Sequence, residues 1–295
     1  MGDFDGDGLN DVAIGAPNAL NGGAVVVLRG RRVWPTTIAP NAADLIIRNN
    51  TTSTLFGIRI AGAGRLLGGD TLEDLAIGGG LSGSTTGIVR IFAGRALPTA
   101  RTLDATDSNF FRAGVAAGAT GSTAATGQSI VGGVGDLNGD GRSDFAIGTA
   151  GSVGGAGEVY LFFGGADGNL TEGPTLRSTP QGGVGDIFGR SIASVYDPAQ
   201  LHPSLLQIRA PSADLLVSST AYRTSNPARL YIYRGRRTRR GRVSPPTRPI
   251  ASSSPRRPRR PPSITNTQWV GDTDGDGAVD ASFVQFATGT LFIVR

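Results

Sequence analysis

Cysteine is absent from this 295-residue chain, and so is lysine. The first absence excludes disulfides, thiolate metal sites and thiol catalysis. The second excludes a Schiff-base mechanism and the GxxxxGK[ST] phosphate loop. Histidine occurs once, at His202 beside Pro203, so a Ser/His/Asp triad would have to be built on it. It reads instead as an exposed loop residue, and the chain is expected not to be an enzyme. No run approaches the roughly 18 apolar residues of a membrane helix, and no basic-then-apolar leader precedes the first motif. Glutamate is nearly missing as well: three of the 23 acidic residues are Glu and the rest are Asp, the shorter carboxylate used where geometry is tight.

What is abundant is glycine, 46 residues, set between short apolar runs and Asn, Ser and Pro. That is the texture of short strands joined by many turns. The formal charge of +5 is also local in origin. Eleven of the 28 arginines fall between Arg234 and Arg260, in a segment without Asp or Glu; the remaining 17 face 23 acids, a net of −6. The body is acidic, and one insert makes the total basic.

Self-similarity organises the chain. DVAIGAP from Asp11, DLAIGGG from Asp74, DFAIGTA from Asp144, DLLVSST from Asp214 and DASFVQF from Asp280 align with steps of 63, 70, 70 and 66 residues. Each is followed, after a polar turn, by a second apolar run such as GGAVVVLRG, TGIVRIFAG or AGEVYLFFG. Both runs are rich in β-branched and aromatic residues and lack a 3.6-residue rhythm, so both predict strands. Another candidate strand precedes the acidic loop, as in FGIRIAG, and a weaker one follows the second run, as in ADLIIRN. Four strands per repeat predict the blades of an all-β propeller, with 3, 4, 4, 4 and 3 strands in the five repeats. Both end blades are then incomplete, and the expectation is that flanking repeats complete the ring.

Three copies of an acidic loop fit Dx[DN]xDGxxD: Asp3 to Asp11, Asp136 to Asp144 and Asp272 to Asp280. Carboxylates roughly 4 Å apart repel by about 1 kcal/mol per pair even in water, and a divalent cation reverses the sign. Oxygen-only donors, with Gly at position 6 for a sharp turn, point to calcium. An EF-hand would need Glu at position 12, where this chain has Ile14, Ile147 and Phe283. The competing reading is an Asp/Gly-rich turn that merely blocks edge-to-edge aggregation. In the second copy, LLGGDTLED, Leu66 and Gly68 replace two ligands and leave Asp70 and Asp74. The fourth copy is interrupted between Asp197 and Asp214. Neither is expected to bind metal.

With FG at Phe56-Gly57 and Phe188-Gly189, GAP at Gly15-Ala16-Pro17, and the acidic loops between strands, the pattern resembles FG-GAP repeats, the units of the integrin α-subunit β-propeller. The resemblance spans nearly all of residues 1–295, with repeat ends near 11, 74, 144, 214 and 280. It implies a fragment of a seven-bladed ring with Ca2+ loops on one face and a protein or glycan ligand on the other. It implies one site at Asp3, Asp5, Asp7, Leu9 and Asp11, a second at Asp136, Asn138, Asp140, Arg142 and Asp144, and a third at Asp272, Asp274, Asp276, Ala278 and Asp280. Leu9, Arg142 and Ala278 would offer only carbonyls. The implied role is extracellular or cell-surface recognition or adhesion; an accessory propeller of a secreted enzyme and a lectin-type propeller are the alternatives. Tyr222 and Arg223 are candidate ligand contacts in the turns opposite the loops. The Arg/Pro-rich insert, 236–262, reads as disordered and as a candidate polyanion contact. Asn49, Asn50 and Asn169 lie in NxT sequons.

Overall fold

The computed structural model describes residues 1–39, 42–51, 55–67, 69–80, 87–96, 102–113, 125–150, 157–177, 186–195, 213–221, 229–233, 235, 264–271, 280–285 and 290–294. These residues are all-β, with a 3-10 turn at Ala105–Asp107 and no α-helix among them. The acidic loops lead into the strands predicted by the aligned segments. In the first repeat these are β1 (Val12–Ala16), β2 (Ala24–Leu28) and β3 (Leu45–Arg48). The second holds β4 (Arg59–Gly64), β5 (Asp74–Gly80), β6 (Gly87–Phe92), β7 (Thr102–Asp104) and β8 (Phe110–Ala113). Next come β9 (Ala125–Gly135), β10 (Asp144–Ala150), β11 (Glu158–Gly164) and β12 (Leu170–Arg177). The last six are β13 (Asp186–Val195), β14 (Asp214–Ala221), β15 (Arg229–Tyr233), β16 (Ile264–Gly271), β17 (Asp280–Gln285) and β18 (Thr290–Val294).

They form five sheets ordered β1-β2-β3-β7, β4-β5-β6-β8, β9-β10-β11-β12, β13-β14-β15 and β16-β17-β18. All neighbours are antiparallel except β3 and β7, which run parallel with Ile46 opposite Thr102. Strand β7 departs from the expected plan. The link between β6 and β8 travels back to the first sheet and adds a fourth strand there before returning to its own. The fourth repeat, expected to carry four strands, shows three among the described residues. No hydrogen-bonded ladder among them joins the fifth sheet to the first.

The apolar cores lie between consecutive sheets. One cluster joins Val25, Val27 and Leu45 of the first sheet to Leu75, Ile77 and Phe92 of the second. Another joins Ala76, Val89 and Ile91 of the second to Phe145, Ile147 and Phe162 of the third. A further cluster packs Val159, Leu161 and Phe163 against Phe188, Leu215 and Tyr231. Alternate residues of one strand thus serve two cores, Ile77 facing one sheet and Ala76 the other, as period-2 side-chain alternation requires when both faces are covered.

The FG and GAP dipeptides meet across these interfaces. A Cβ built on Gly15 of the first repeat would collide with the carbonyl oxygen of Gly57 in the second, and Gly148 stands in the same relation to Gly189. Gly57 and Gly189 themselves have φ of 89° and 81°, which L side chains rarely adopt. Phe56 and Phe188 are fully buried beside them. The motif is therefore a sheet-to-sheet seam, with glycine on both sides because two backbones touch.

Candidate metal centre

Loop 1 is built by its own aspartates. Asp3 at position 1 accepts backbone N–H bonds from Gly6 (2.7 Å), Asp7 (3.1 Å) and Gly8 (2.9 Å). Asp5 accepts from Asp7 N–H at 3.1 Å and Asp7 from Leu9 N–H at 2.8 Å. Loop 3 repeats this wiring: Asp136 takes Gly139, Asp140 and Gly141, Asn138 takes Asp140, and Asp140 takes Arg142. Gly8 and Gly141, both at position 6, have φ of 83° and 88°. A Cβ there would meet nothing within 4 Å, so the requirement for glycine is conformational alone.

Asp11, at position 9, reaches furthest. One carboxylate oxygen accepts from Phe4 N–H (2.8 Å) and Asp5 N–H (3.3 Å), the other from Gly30 N–H (2.7 Å) at the end of β2. Asp144 does the same with Leu137, Asn138 and Gly164. Asp74 does so with Leu66, Leu67 and Gly94, although its loop has lost other ligand positions. Leu66, which replaces the first ligand, is buried, and with its neighbour Leu67 it belongs to the core between the second and third sheets. Burial drives the Asp74 carboxyl up to about 6 and that of Asp144 to about 7, against the opposing pull of the three N–H donors on each.

Carboxylate oxygens of Asp3, Asp5 and Asp11 lie within 4.8 Å of one another. Asp7 stands outside that group and Leu9 contributes its backbone N–H to Asp7. Burial and the neighbouring Asp11 charge raise the Asp5 carboxyl. Arg29 answers it with an ion pair, Nε to Oδ2, at 2.8 Å. In loop 3 the residue at that position is the neutral Asn138, and Phe163 takes the place of Arg29 before the conserved-register Gly164; charge and countercharge are lost together. The sequence pattern did not disclose Arg29, whose partner is 24 positions away. It could have disclosed the staple: Asp74 persists in a loop where Leu66 and Gly68 have replaced two of the ligands.

The loops are also joined to each other. Asp3 C=O accepts from Glu73 N–H (2.9 Å), the residue before Asp74, and Asp136 C=O accepts from Ala213 N–H (2.7 Å), the residue before Asp214. Loops 1 and 3 are thereby each bonded to the residue before the aspartate that opens the next repeat's strand.

Residues 272, 274, 276 and 278 of the third predicted site lie outside the described residues, and only the backbone of Asp280, opening β17, is described. Tyr222, Arg223, His202 and the insert 236–262 lie outside them too. Of the sequons, Asn49 is buried and its side-chain oxygen accepts Thr51 N–H, whereas Asn169 is exposed in the turn between β11 and β12.

Repeated antiparallel sheets, packed face to face and opened by self-wired Asp/Gly loops, define a class of acidic-loop β-repeat proteins. A family model described as FG-GAP repeat matches residues 1–28 and 130–162, and these two stretches are similar to FG-GAP repeats. No curated protein sequence matches it. Among the described residues no helix is long and apolar enough to cross a membrane.

Proposed function

We propose that the chain is a calcium-stabilised, non-enzymatic FG-GAP propeller unit that serves extracellular or cell-surface recognition or adhesion. The observation that carries the metal reading is the convergence of Asp3, Asp5 and Asp11 in the loop that leads into β1. Supporting it, loop 3 reproduces the backbone N–H bonds of loop 1 although the two share no sheet. The donor set is all oxygen, two of the three carboxylates are half-buried and the third is buried, which suits a hard divalent cation and no thiophilic one. Asp3, Asp5 and Asp11, with Asp7 and the Leu9 carbonyl, would hold the ion of loop 1; Asp136, Asn138, Asp140, Asp144 and the Arg142 carbonyl that of loop 3. The ion supplies charge compensation and rigidity; the residues themselves supply the loop shape, already fixed by their N–H bonds. Face-to-face sheets with shared cores support the propeller reading. The recognition role rests on the FG-GAP family and on the loops' position at one end of the hairpins, which leaves the turns at the other end for a protein or glycan.

Calorimetric titration of the chelator-treated chain with calcium and with magnesium tests this. Expected is calcium binding at millimolar or tighter affinity, with at least two sites and weaker magnesium binding. Heat and melting curves that do not respond to calcium would overturn the metal reading. Loss of binding to a cell surface or glycan array on altering turn residues 18–22 would support the recognition role.

A further inference from the structure

Asparagine is followed directly by glycine at two places in the chain, Asn21-Gly22 in the turn between β1 and β2 and Asn138-Gly139 in loop 3. Such a pair is chemically labile. Glycine has no side chain to shield its backbone nitrogen, which can attack the carboxamide carbon of the asparagine before it. The new N–Cγ bond closes a succinimide ring, and the side-chain nitrogen departs as ammonia with the proton lost from the attacking nitrogen. Water then opens one or other ring C–N bond, leaving aspartate or isoaspartate. The sum is asparagine plus water giving an aspartyl residue plus ammonia, so water is the only co-reactant.

Loop 3 gathers the reacting groups into one turn. Asn138 is buried; its Oδ1 accepts from Asp140 N–H at 2.9 Å and its Nδ2 donates to Asp140 Oδ2 at 3.0 Å. The attacking nitrogen, that of Gly139, donates to Asp136 Oδ1 at 2.6 Å, which sets a proton acceptor on the atom that must lose a proton. All three bonds that tie down the reacting groups end on Asp136 or Asp140. A local opening of residues 136–140 therefore releases them together, with the sheets and the Asp144 bond to Gly164 left in place.

The aspartate product has a template in the same molecule. Asp5 holds the equivalent position of loop 1, and its Oδ1 accepts Asp7 N–H at 3.1 Å as Asn138 accepts that of Asp140. The charge is what differs. Arg29 answers Asp5 at 2.8 Å, whereas the uncharged Phe163 stands at that place in loop 3. Deamidation also replaces the Nδ2 donor to Asp140 by a like charge. We propose that Asn138 is a site of spontaneous deamidation, which irreversibly converts loop 3 from the DxN form to the DxD form of loop 1 and adds a negative charge beside Asp136 and Asp140. The isoaspartate product lengthens the backbone between those two residues by one methylene group and breaks the N–H wiring of the loop. The inference concerns the metal-free chain and does not depend on calcium.

The test incubates the full chain in chelator at neutral pH in oxygen-18 water, beside a free peptide of residues 136–143, DLNGDGRS. Peptide mapping by mass spectrometry should find the labelled carboxyl oxygen at Asn138, accumulating at a rate within about tenfold of the peptide's, because a local opening is all the reaction requires. The aspartate form should co-elute on ion exchange with a chain carrying Asn138→Asp. Urea below the unfolding transition should leave the rate nearly unchanged. The proposal is overturned if Asn138 stays unlabelled while the peptide is fully converted, or if label enters at Asn21 alone. A rate that climbs in step with the globally unfolded fraction overturns it too, since the reaction would then belong to the unfolded chain.

Discussion

Asp74 sits in a loop where Leu66 and Gly68 stand at two of the ligand positions, yet its carboxylate holds three N–H groups equivalent to those held by Asp11 and Asp144. The position-9 aspartate is therefore a backbone staple first. Asp74→Ala leaves three buried donors unpaired and should cost about 2–4 kcal/mol in chemical denaturation, with or without calcium. Its pH dependence follows from burial. The folded-state value of about 6 lies above the ordinary 3.8, so the proton is held more tightly in the folded chain than in the unfolded one. Its contribution is complete below about 3.8 and is lost as pH rises through about 6. In chelator the Tm should fall between pH 4 and 6, and Asp74→Asn should flatten that part of the slope. Asp144, near 7, extends the decline to neutrality, and calcium, which needs the ionised carboxylate, should reverse it there. At Asp5 a different competition operates. Arg29 already holds Oδ2, and a cation entering loop 1 must share it. Arg29→Gln should tighten calcium binding at loop 1 by roughly two- to fivefold, the scale of a half-exposed ion pair. An unchanged affinity in calorimetry would mean that the guanidinium stays on Asp5 when the metal is bound.

At the scale of strands and loops, the seam between FG and GAP controls how sheets approach. Gly148→Ala places a methyl group against the Gly189 carbonyl and must push two sheets apart, so it should cost about 1–3 kcal/mol. Gly141→Ala meets no neighbour and strains only φ, at about 1–2 kcal/mol. The two are separable by urea denaturation followed by calcium titration: the first should leave loop 3 affinity nearly intact, the second should weaken it. Most of this architecture was legible in the sequence. The short β-branched and aromatic runs placed β1, β2, β4, β5, β6, β10 and β11, and the aspartate spacing placed the loops, because strand propensity and turn chemistry are local properties. Strand β7 was not legible. TLD is three residues long with one apolar side chain, and its pairing with β3 depends on a neighbouring sheet. The role of Gly15 was equally hidden, since a glycine required by a backbone 42 positions away looks like any loop glycine. The Arg29 pair was missed for the same reason of distance.

Across the molecule, cores shared only by adjacent sheets make stability a sum of neighbour interfaces, and charge is divided just as unevenly. The eleven arginines between Arg234 and Arg260 oppose a body of net −6, and their attraction to polyanions does not require any particular fold. Two properties should therefore separate cleanly. At low ionic strength the chain should be retained on an immobilised sulfated polysaccharide and elute as salt rises through the range where the screening length shrinks from about 30 Å to about 10 Å. Changing those eleven arginines to glutamine takes the formal charge from +5 to −6, so retention should vanish. Calcium affinity and the calcium-dependent Tm should be unaltered, because loops 1 and 3 draw their hydrogen bonds from within their own and adjacent repeats. Retention that survives the substitution would locate the polyanion contact on the body instead, where Arg29 stands against Asp5 of loop 1. In that case added calcium should strengthen retention, since filling the loop offsets the negative charge that Arg29 faces.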